Sequence, residues 1–434
     1  MNRPFESQVL IQANSRTTAA QEESMVRTSS TLPSIGFALL AFALSGPAPL
    51  VGAPAEDATI RIGAVLPVTG KESKIGGAFK AATEYAVKEV NDAGGLDVGG
   101  KKLKVDLSLL DDTSDPSRSA QLVEQLMAQQ KVHAVIGGYG SQLVQAQSVV
   151  PDRYGIPYIS GGAGATSIYG RSKWVFGVLS PVENLATTQM DFLSDLVAQG
   201  KLKKPLKIAL LAENTEHGKD FQKGVKDYAK AHPGYSVVLD ESFELYAADF
   251  KPLLGRVAAA KADLFMCDAH LEDFISMQRT YTQMGLYHQM LTYGARGADE
   301  AGRKGLGAAT DYIFASGWWS DLLPYPQVKA FTAKWKAAAG SAPQWYHATA
   351  YEAARALFAA IQKAGSLKPE AIRAALAAIE LKDSILPGGV LKFTKTGQAV
   401  LPFVVTQNKP DGKVDIVWPK EARTGEPVAP MPKP

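Results

Sequence analysis

An α/β fold with two successive lobes, each a mainly parallel sheet flanked by helices, is predicted by three observations. Short β-branched runs alternate with longer helical patterns from Ile60 onward. The alternation pauses after a fourth strand and begins again at Leu206. Glycine-rich loops follow the third and fourth strands, where an open parallel sheet presents its binding edge. Composition supports a folded chain: 434 residues, 46% apolar and 21% charged, suffice for a large core and exclude a disordered protein. With 46 basic against 43 acidic side chains, the net charge of +3 offers no field for a nucleic-acid backbone. A single cysteine, Cys267, excludes an internal disulfide framework and a thiolate zinc cluster, and reads as core.

The elements follow in order. Ile35 to Leu44 is an apolar run too short to cross a bilayer and of the length of a signal-peptide core; Ala53-Pro54-Ala55 supplies the small residues of a cleavage site. Residues 1–55 therefore read as a signal peptide, with translation starting more naturally at Met25, and the mature chain would begin at Glu56 and occupy the periplasm. A disordered cytoplasmic extension is the alternative.

The first lobe opens with a strand at Thr59 to Leu66, a loop through Gly70 to Gly77, and a helix presenting Phe79, Ala82, Ala86, Val87 and Val90. A strand at Leu103 to Leu110 runs into Asp111-Asp112-Thr113-Ser114-Asp115-Pro116; Asp115 or Ser117 caps the next helix, which has proline in its first turn. Strands at His133 to Ile136 and Pro157 to Ser160 lead into Gly137-Gly138-Tyr139-Gly140-Ser141 and Gly161-Gly162-Ala163-Gly164. The second lobe alternates strands at Leu206 to Leu211, Ser236 to Leu239, Asp263 to Cys267 and Gln289 to Tyr293 with helices at Gly218 to Ala231, Phe250 to Ala260 and Leu271 to Met284. After a strand at Ile313 to Ser316 come helices at Pro326 to Ala339, His347 to Ala364 and Pro369 to Ile379. A closing hairpin over Leu401 to Val417 turns at Lys409 to Gly412. The proline-rich residues 418–434 read as a disordered tail.

The run Ile62-Gly63-Ala64-Val65-Leu66-Pro67-Val68-Thr69-Gly70, then Asn91-Asp92-Ala93-Gly94-Gly95-Leu96, then Asp111-Asp112 before Asp115-Pro116, resembles type I periplasmic solute-binding proteins. In particular it resembles the leucine/isoleucine/valine-binding receptors of ABC importers, including a branch that binds aromatic acids. The resemblance covers Ile60 to Val417. It implies two lobes closing by hinge motion on a solute held between them: residues 58–179 plus 318–381, and residues 180–317 plus 382–417. It also implies an ABC permease and ATPase subunits as partners. A monomeric chain without cofactor or catalysis is expected. His217 and His270, with Asp268, Glu272 and Asp273 near the second, invite a metal reading, but no zinc spacing such as His-Glu-x-x-His occurs and no metal is expected.

Glycine in the two first-lobe loops lets backbone N–H groups approach a ligand, which suits an anion. In the resembling amino-acid receptors a serine holds the solute carboxylate, and it matches Ser141, beside Tyr139 and Gly140. Gly162 and Ala163 fall in the second loop, and Gly164 occupies a threonine position. Site tyrosines of the family are replaced by Ile75, His217 and His270. The loop that should carry an acid for an α-ammonium reads Tyr293-Gly294-Ala295-Arg296-Gly297, with no carboxylate before Asp299. A buried ammonium without a partner is costly, so an amino acid is disfavoured unless Asp268 or Asp299 turns in. Arg296 can grip a carboxylate, and Tyr139, Tyr293, Trp318 and Trp319 can wall a ring, whereas Trp345, Tyr346 and Tyr351 read as core. The expected solute is an aromatic or other organic acid without an α-amino group, the alternative a branched-chain amino acid or an amide. A sensor using the same module is a second alternative. The third, a hydrolase using Ser141, lacks the register of a nucleophile elbow and would need His217 or His270 within reach of the hydroxyl.

Overall fold

The computed structural model describes residues 59–433; the signal segment expected at 1–55 lies outside them. Strands β1 (Thr59–Leu66), β2 (Leu96–Val98), β3 (Lys101–Asp111), β4 (Ala134–Tyr139), β5 (Tyr158–Gly162) and β6 (Val175–Gly177) form one sheet in the order β2-β3-β1-β4-β5-β6. Only β2 and β3 are antiparallel. A second sheet joins β7 (Leu206–Glu213), β8 (Tyr235–Phe243), β9 (Leu264–Asp268), β10 (Met290–Tyr293), β11 (Phe314–Gly317), β12 (Val404–Asn408) and β13 (Val414–Trp418) in the order β13-β12-β11-β10-β9-β7-β8. Here β12 runs antiparallel to both neighbours and the other pairs are parallel.

Parallel neighbours require crossover connections, and helices supply them. They are α1 (Ser73–Asp92), α2 (Pro116–Ala128), α3 (Ser141–Ser148) and α4 (Pro151–Tyr154) in the first lobe, then α5 (Val182–Ala198), α6 (Glu216–Ala231), α7 (Lys251–Ala259), α8 (Leu271–Gln283) and α9 (Glu300–Leu306) in the second. After β11 come α10 (Pro326–Ala339), α11 (Trp345–Ala364) and α12 (Pro369–Ala377). Of the two caps expected for α2, Asp115 serves: its carboxylate accepts from the Arg118 N–H at 2.7 Å, with Pro116 in the first turn. Helix α11 returns to the first lobe and packs on α1 and β5. Gly161 permits that approach, since a Cβ there would lie 2.7 Å from the Thr349 carbonyl oxygen.

Both sheets share one topology that positions the site. The first strand of each, β1 or β7, has the second long strand on one side and the third on the other. Strand order reverses at that point, and the crevice outside the carboxyl ends is where open α/β sheets bind ligands. Strands β4 and β9, beside the two reversals, are buried at every residue, whereas edge strand β8 alternates buried and exposed.

Three crossings connect the lobes and are bonded to one another. Ser180 Oγ donates to the Leu401 carbonyl at 2.9 Å, and Trp318 Nε1 donates to the Ser180 carbonyl at 3.0 Å. The third crossing thus lies near Leu401, which corrects the division expected at Lys382. Residues 391–399 stay with the first lobe, because Gln398 bridges the β6 edge at Gly177 and the Ala399 N–H bonds the Gly177 carbonyl at 2.8 Å.

The tail is also corrected: residues 419–433 strap the second lobe. The Gln407 side chain bonds both the N–H (2.9 Å) and the carbonyl (2.8 Å) of Val428, and the Met431 N–H bonds the Gln289 carbonyl at 2.8 Å. Polar side chains already on the lobe satisfy the backbone of a proline-rich segment that has too few apolar residues to signal its docking. Periodicity also passed over α5 and β6, and started α11 at His347, two residues late.

Candidate functional site

The carboxyl ends of β4, β5 and β9 and the segments that follow β7 and β10 meet at a narrow cavity between the lobes. Tyr139, Gly140, Ser141, Gly162 and Gly164 line it from the first lobe, and His217, Asp268, His270 and Arg296 from the second. Trp318 at a crossing and Trp345 at the start of α11 complete the wall, their rings 5.2 Å apart. Gly140 turns the chain from β4 into α3 at φ +89°, a conformation that costs glycine little and sets Ser141 as the first residue of the helix.

Of the residues expected from the sequence, four stand away from the cavity. Ile75 is buried in the core on the first turn of α1. Ala163 faces the first-lobe core and gives its carbonyl to the Tyr169 hydroxyl at 2.8 Å. Tyr293 is fully buried against Phe265 and Phe274, because successive strand residues point to opposite faces and the last residue of β10 takes the core side. Trp319 likewise turns away and bonds the Ile385 carbonyl at 2.9 Å. Trp345, read as core, lines the site instead.

Arg296 is 6% exposed and already satisfied. Its Nη1 lies 3.1 Å from Asp299 Oδ2, its Nη2 donates to the Tyr139 hydroxyl of the other lobe, and its guanidinium carbon stands 4.7 Å from the Trp345 ring centroid and 5.3 Å from that of Tyr139. Trp345 Nε1 in turn donates to Asp299 Oδ1 at 3.3 Å. Burial pushes the Tyr139 hydroxyl up to about 12 despite the guanidinium beside it, so it remains a neutral acceptor for Arg296.

A second cluster also spans the lobes. Glu72, one residue before α1, accepts from His270 Nδ1 and from the Tyr246 hydroxyl, while His270 Nε2 lies 3.3 Å from Glu213 at the end of β7. Burial disfavours charge on His270, but the carboxylates of Glu213 and Glu72 outweigh it and raise its pKa well above 6.5. Burial pushes both carboxyls up as well, and the histidine charge overcomes this and holds them low. Sequence reading missed Glu72 and Glu213. A carboxylate ending a buried parallel strand, as in Ala212-Glu213, was the available signal for the latter.

The third group joins the two earlier hypotheses about Ser141. His217, on the first turn of α6, places Nδ1 3.5 Å from Ser141 Oγ and Nε2 2.9 Å from Asp268 Oδ2. The order Ser–His–Asp is that of a hydrolytic triad. Burial lowers the His217 pKa, but the Asp268 carboxylate and then Glu213 raise it overall, which favours the imidazolium. An imidazole beside Ser141, when protonated, is a donor that can hold an anion. Among the described residues no cluster of histidine, cysteine and carboxylate side chains is placed to hold a metal ion, and no helix is long and apolar enough to cross a membrane.

Comparison with known proteins bears on the family and the fold. The chain is 27% identical over 377 residues to Leu/Ile/Val-binding protein homolog 8 of Brucella abortus, covering 84% of this chain and 92% of that protein. Homolog 7 of Brucella suis is 26% identical, covering 88% and 97%. Among solved structures, the leucine-binding protein of Thermotoga maritima superposes with a TM-score of 0.74 at 19% identity, over 82% of this chain and 97% of that one. A solute-binding protein of an ABC transporter from Rhodopseudomonas palustris BisB5, in complex with 3,4-dihydroxybenzoic acid, gives 0.73 at 20% identity, over 87% and 99%. These likenesses establish the two-lobed fold. The periplasmic binding protein family model matches residues 59–413, nearly the whole described chain, and the protein belongs to that family.

Proposed function

We propose that the protein is an exported solute receptor that delivers a small organic acid, flat-ringed and without an α-amino group, to an ABC importer by closing its lobes. The carrying observation is the charge of the cavity wall. Three lining side chains are basic, Arg296, His217 and His270, against one carboxylate, Asp268, which is turned onto His217. An α-ammonium would have to compete with His217 for the one lining carboxylate and would meet three basic groups. Ser141 and the first turn of α3 offer the acid group a seat, and Trp318, Trp345 and Tyr139 offer a ring flat apolar faces. The relatives point both ways, since one structural neighbour holds a dihydroxybenzoic acid and others carry branched-chain names. Export rests on the apolar run and cleavage site at the N-terminus, and the permease and ATPase partners on the family.

A thermal-shift screen tests the reading, because a ligand that binds only the folded state raises its stability by about 2.7 kcal/mol at a hundredfold excess over Kd. Benzoate, 3,4-dihydroxybenzoate, aliphatic acids, benzamide and leucine form the panel. Aromatic acids are expected to shift the transition; a shift with leucine alone overturns the solute class.

A further inference from the structure

We infer that Asp268 and His217 form a dyad that turns a fixed positive charge toward Ser141, so that Asp268, without touching the solute, decides that this seat takes an anion. The inference rests on the reading that the solute carries an acid group, and it extends equally to the carboxylate of an amino acid. Three features of the geometry support it. His217 reaches across the lobe boundary, with one nitrogen toward Ser141 and the other on Asp268 at 2.9 Å. Asp268 is 2% exposed and ends the fully buried strand β9, so its carboxylate is anchored by the sheet. Arg296, the other candidate for the acid group, is matched by Asp299 within its own loop.

The environment of His217 makes Asp268 necessary. Its imidazole is partly buried, 17% exposed, and it stands on the first turn of α6, where the helix dipole disfavours a cation. The neighbouring His270 also opposes the charge. Glu213, at the end of β7, favours it but is engaged by His270. From the first lobe the facing group is the Ser141 hydroxyl, and from the crossing the Trp318 ring, 6.3 Å away; neither supplies charge. Asp268 is thus the group that tips His217 to its protonated form. Replacing its carboxylate by an amide of the same shape leaves burial, dipole and His270 to drive the proton off.

The test compares wild type, Asp268→Asn and His217→Gln as full mature chains, with benzoate as the acid probe and benzamide as its neutral counterpart. Between roughly pH 5.5 and 8, wild-type affinity for benzoate is expected to hold from the lower limit and to fall only as pH passes the raised midpoint of His217, at a higher pH than in Asp268→Asn. In Asp268→Asn it should fall by about tenfold or more at the upper pH and recover at the lower, whereas benzamide should show no such pH dependence. His217→Gln should bind benzoate weakly at both. Parallel pH profiles for wild type and Asp268→Asn overturn the inference, as does turnover of p-nitrophenyl acetate that disappears in Ser141→Ala. Proton titration of His217 by NMR, assigned with His217→Gln, reads the dyad in the solute-free wild type. A midpoint above about 6.5 is expected, and one at or below it overturns the dyad whatever binds. If the midpoint is raised but no acid binds at any pH, the failure lies in the solute reading, and the role given to Asp268 falls with it.

Discussion

Arg296 is where a side chain's identity and its occupation diverge. A guanidinium in the cleft loop is legible from the sequence, and its fitness to grip a carboxylate follows from its planar fork. Its engagement by Asp299, three residues on, depends on a tight turn in which the Arg296 N–H bonds the Tyr293 carbonyl at 2.8 Å. Burial raises the Asp299 pKa despite the guanidinium, so the pair is finely balanced. Arg296→Ala is expected to leave Asp299 buried without its cation and to destabilise the solute-free protein by about 3–5 kcal/mol, read as a lowered thermal midpoint. Adding Asp299→Asn should recover much of the loss. Acid and amide probes should weaken alike in the single variant; a loss confined to acids would place the acid group on Arg296 after all. Ser141 was identifiable because a glycine-rich strand end followed by a serine is a local pattern, whereas Tyr293, the last residue of β10, was misassigned because strand pleat decides its face.

At the scale of elements, backbone proximity and the terminal strap carry the expectations. A Cβ at Gly162, the last residue of β5, would stand 2.6 Å from the Gly138 carbonyl oxygen and 2.8 Å from the Tyr139 Cα. Those atoms belong to β4, which cannot move without moving the Ser141 seat. Gly162→Ala is expected to cost about 1–3 kcal/mol in urea unfolding and to weaken solute binding as well. Stability unchanged from wild type would show that β4 and β5 can part more easily than their burial indicates. Deleting residues 419–434 strips from the buried Gln407 amide its two hydrogen bonds to Val428, leaving those to Tyr312 and Lys409, and removes the cover from Tyr287, whose hydroxyl bonds the Met431 carbonyl at 2.8 Å. The truncated chain should lose about 1–3 kcal/mol, mainly from the second lobe. Strand alternation, helix caps and the closing hairpin were readable because they obey local periods. The docking of the tail was not, because it depends on amides 20 or more residues away.

Across the whole molecule, closure is an electrostatic as well as an apolar event. Glu72 brings the only first-lobe carboxylate of its cluster to His270 and Tyr246 of the second lobe, and Lys74 meets Glu272 at 2.7 Å on the exposed rim. The rim pair is solvated and worth little. The buried cluster carries the pH dependence. Glu72 and Glu213 are held below their ordinary 4.5, so their contribution is present above that value and lost as pH falls through the lowered pKa values. His270 is raised well above 6.5, so its contribution is complete below 6.5 and lost as pH rises through the raised pKa. Thermal stability should therefore hold a plateau between these limits and fall on both sides, and His270→Gln should lessen the alkaline fall, leaving the part due to His217. Glu72→Gln is expected to shift the population toward open lobes, read as a larger radius of gyration in solution scattering, and to weaken solute binding by at least about tenfold. An unchanged radius and affinity would show that the apolar walls alone hold the lobes together.

The amino-acid order alone determined the class, the succession of strands and helices, and the loops that carry Ser141, His217, His270 and Arg296, because periodicity, capping and glycine turns are properties of neighbouring residues. Only the folded chain decided which charges meet. Glu72 and His270 are 198 residues apart and Ser141 and His217 are 76 apart. Whether a buried imidazole carries a proton depends on the carboxylates that the topology delivers to it, and no local pattern records that.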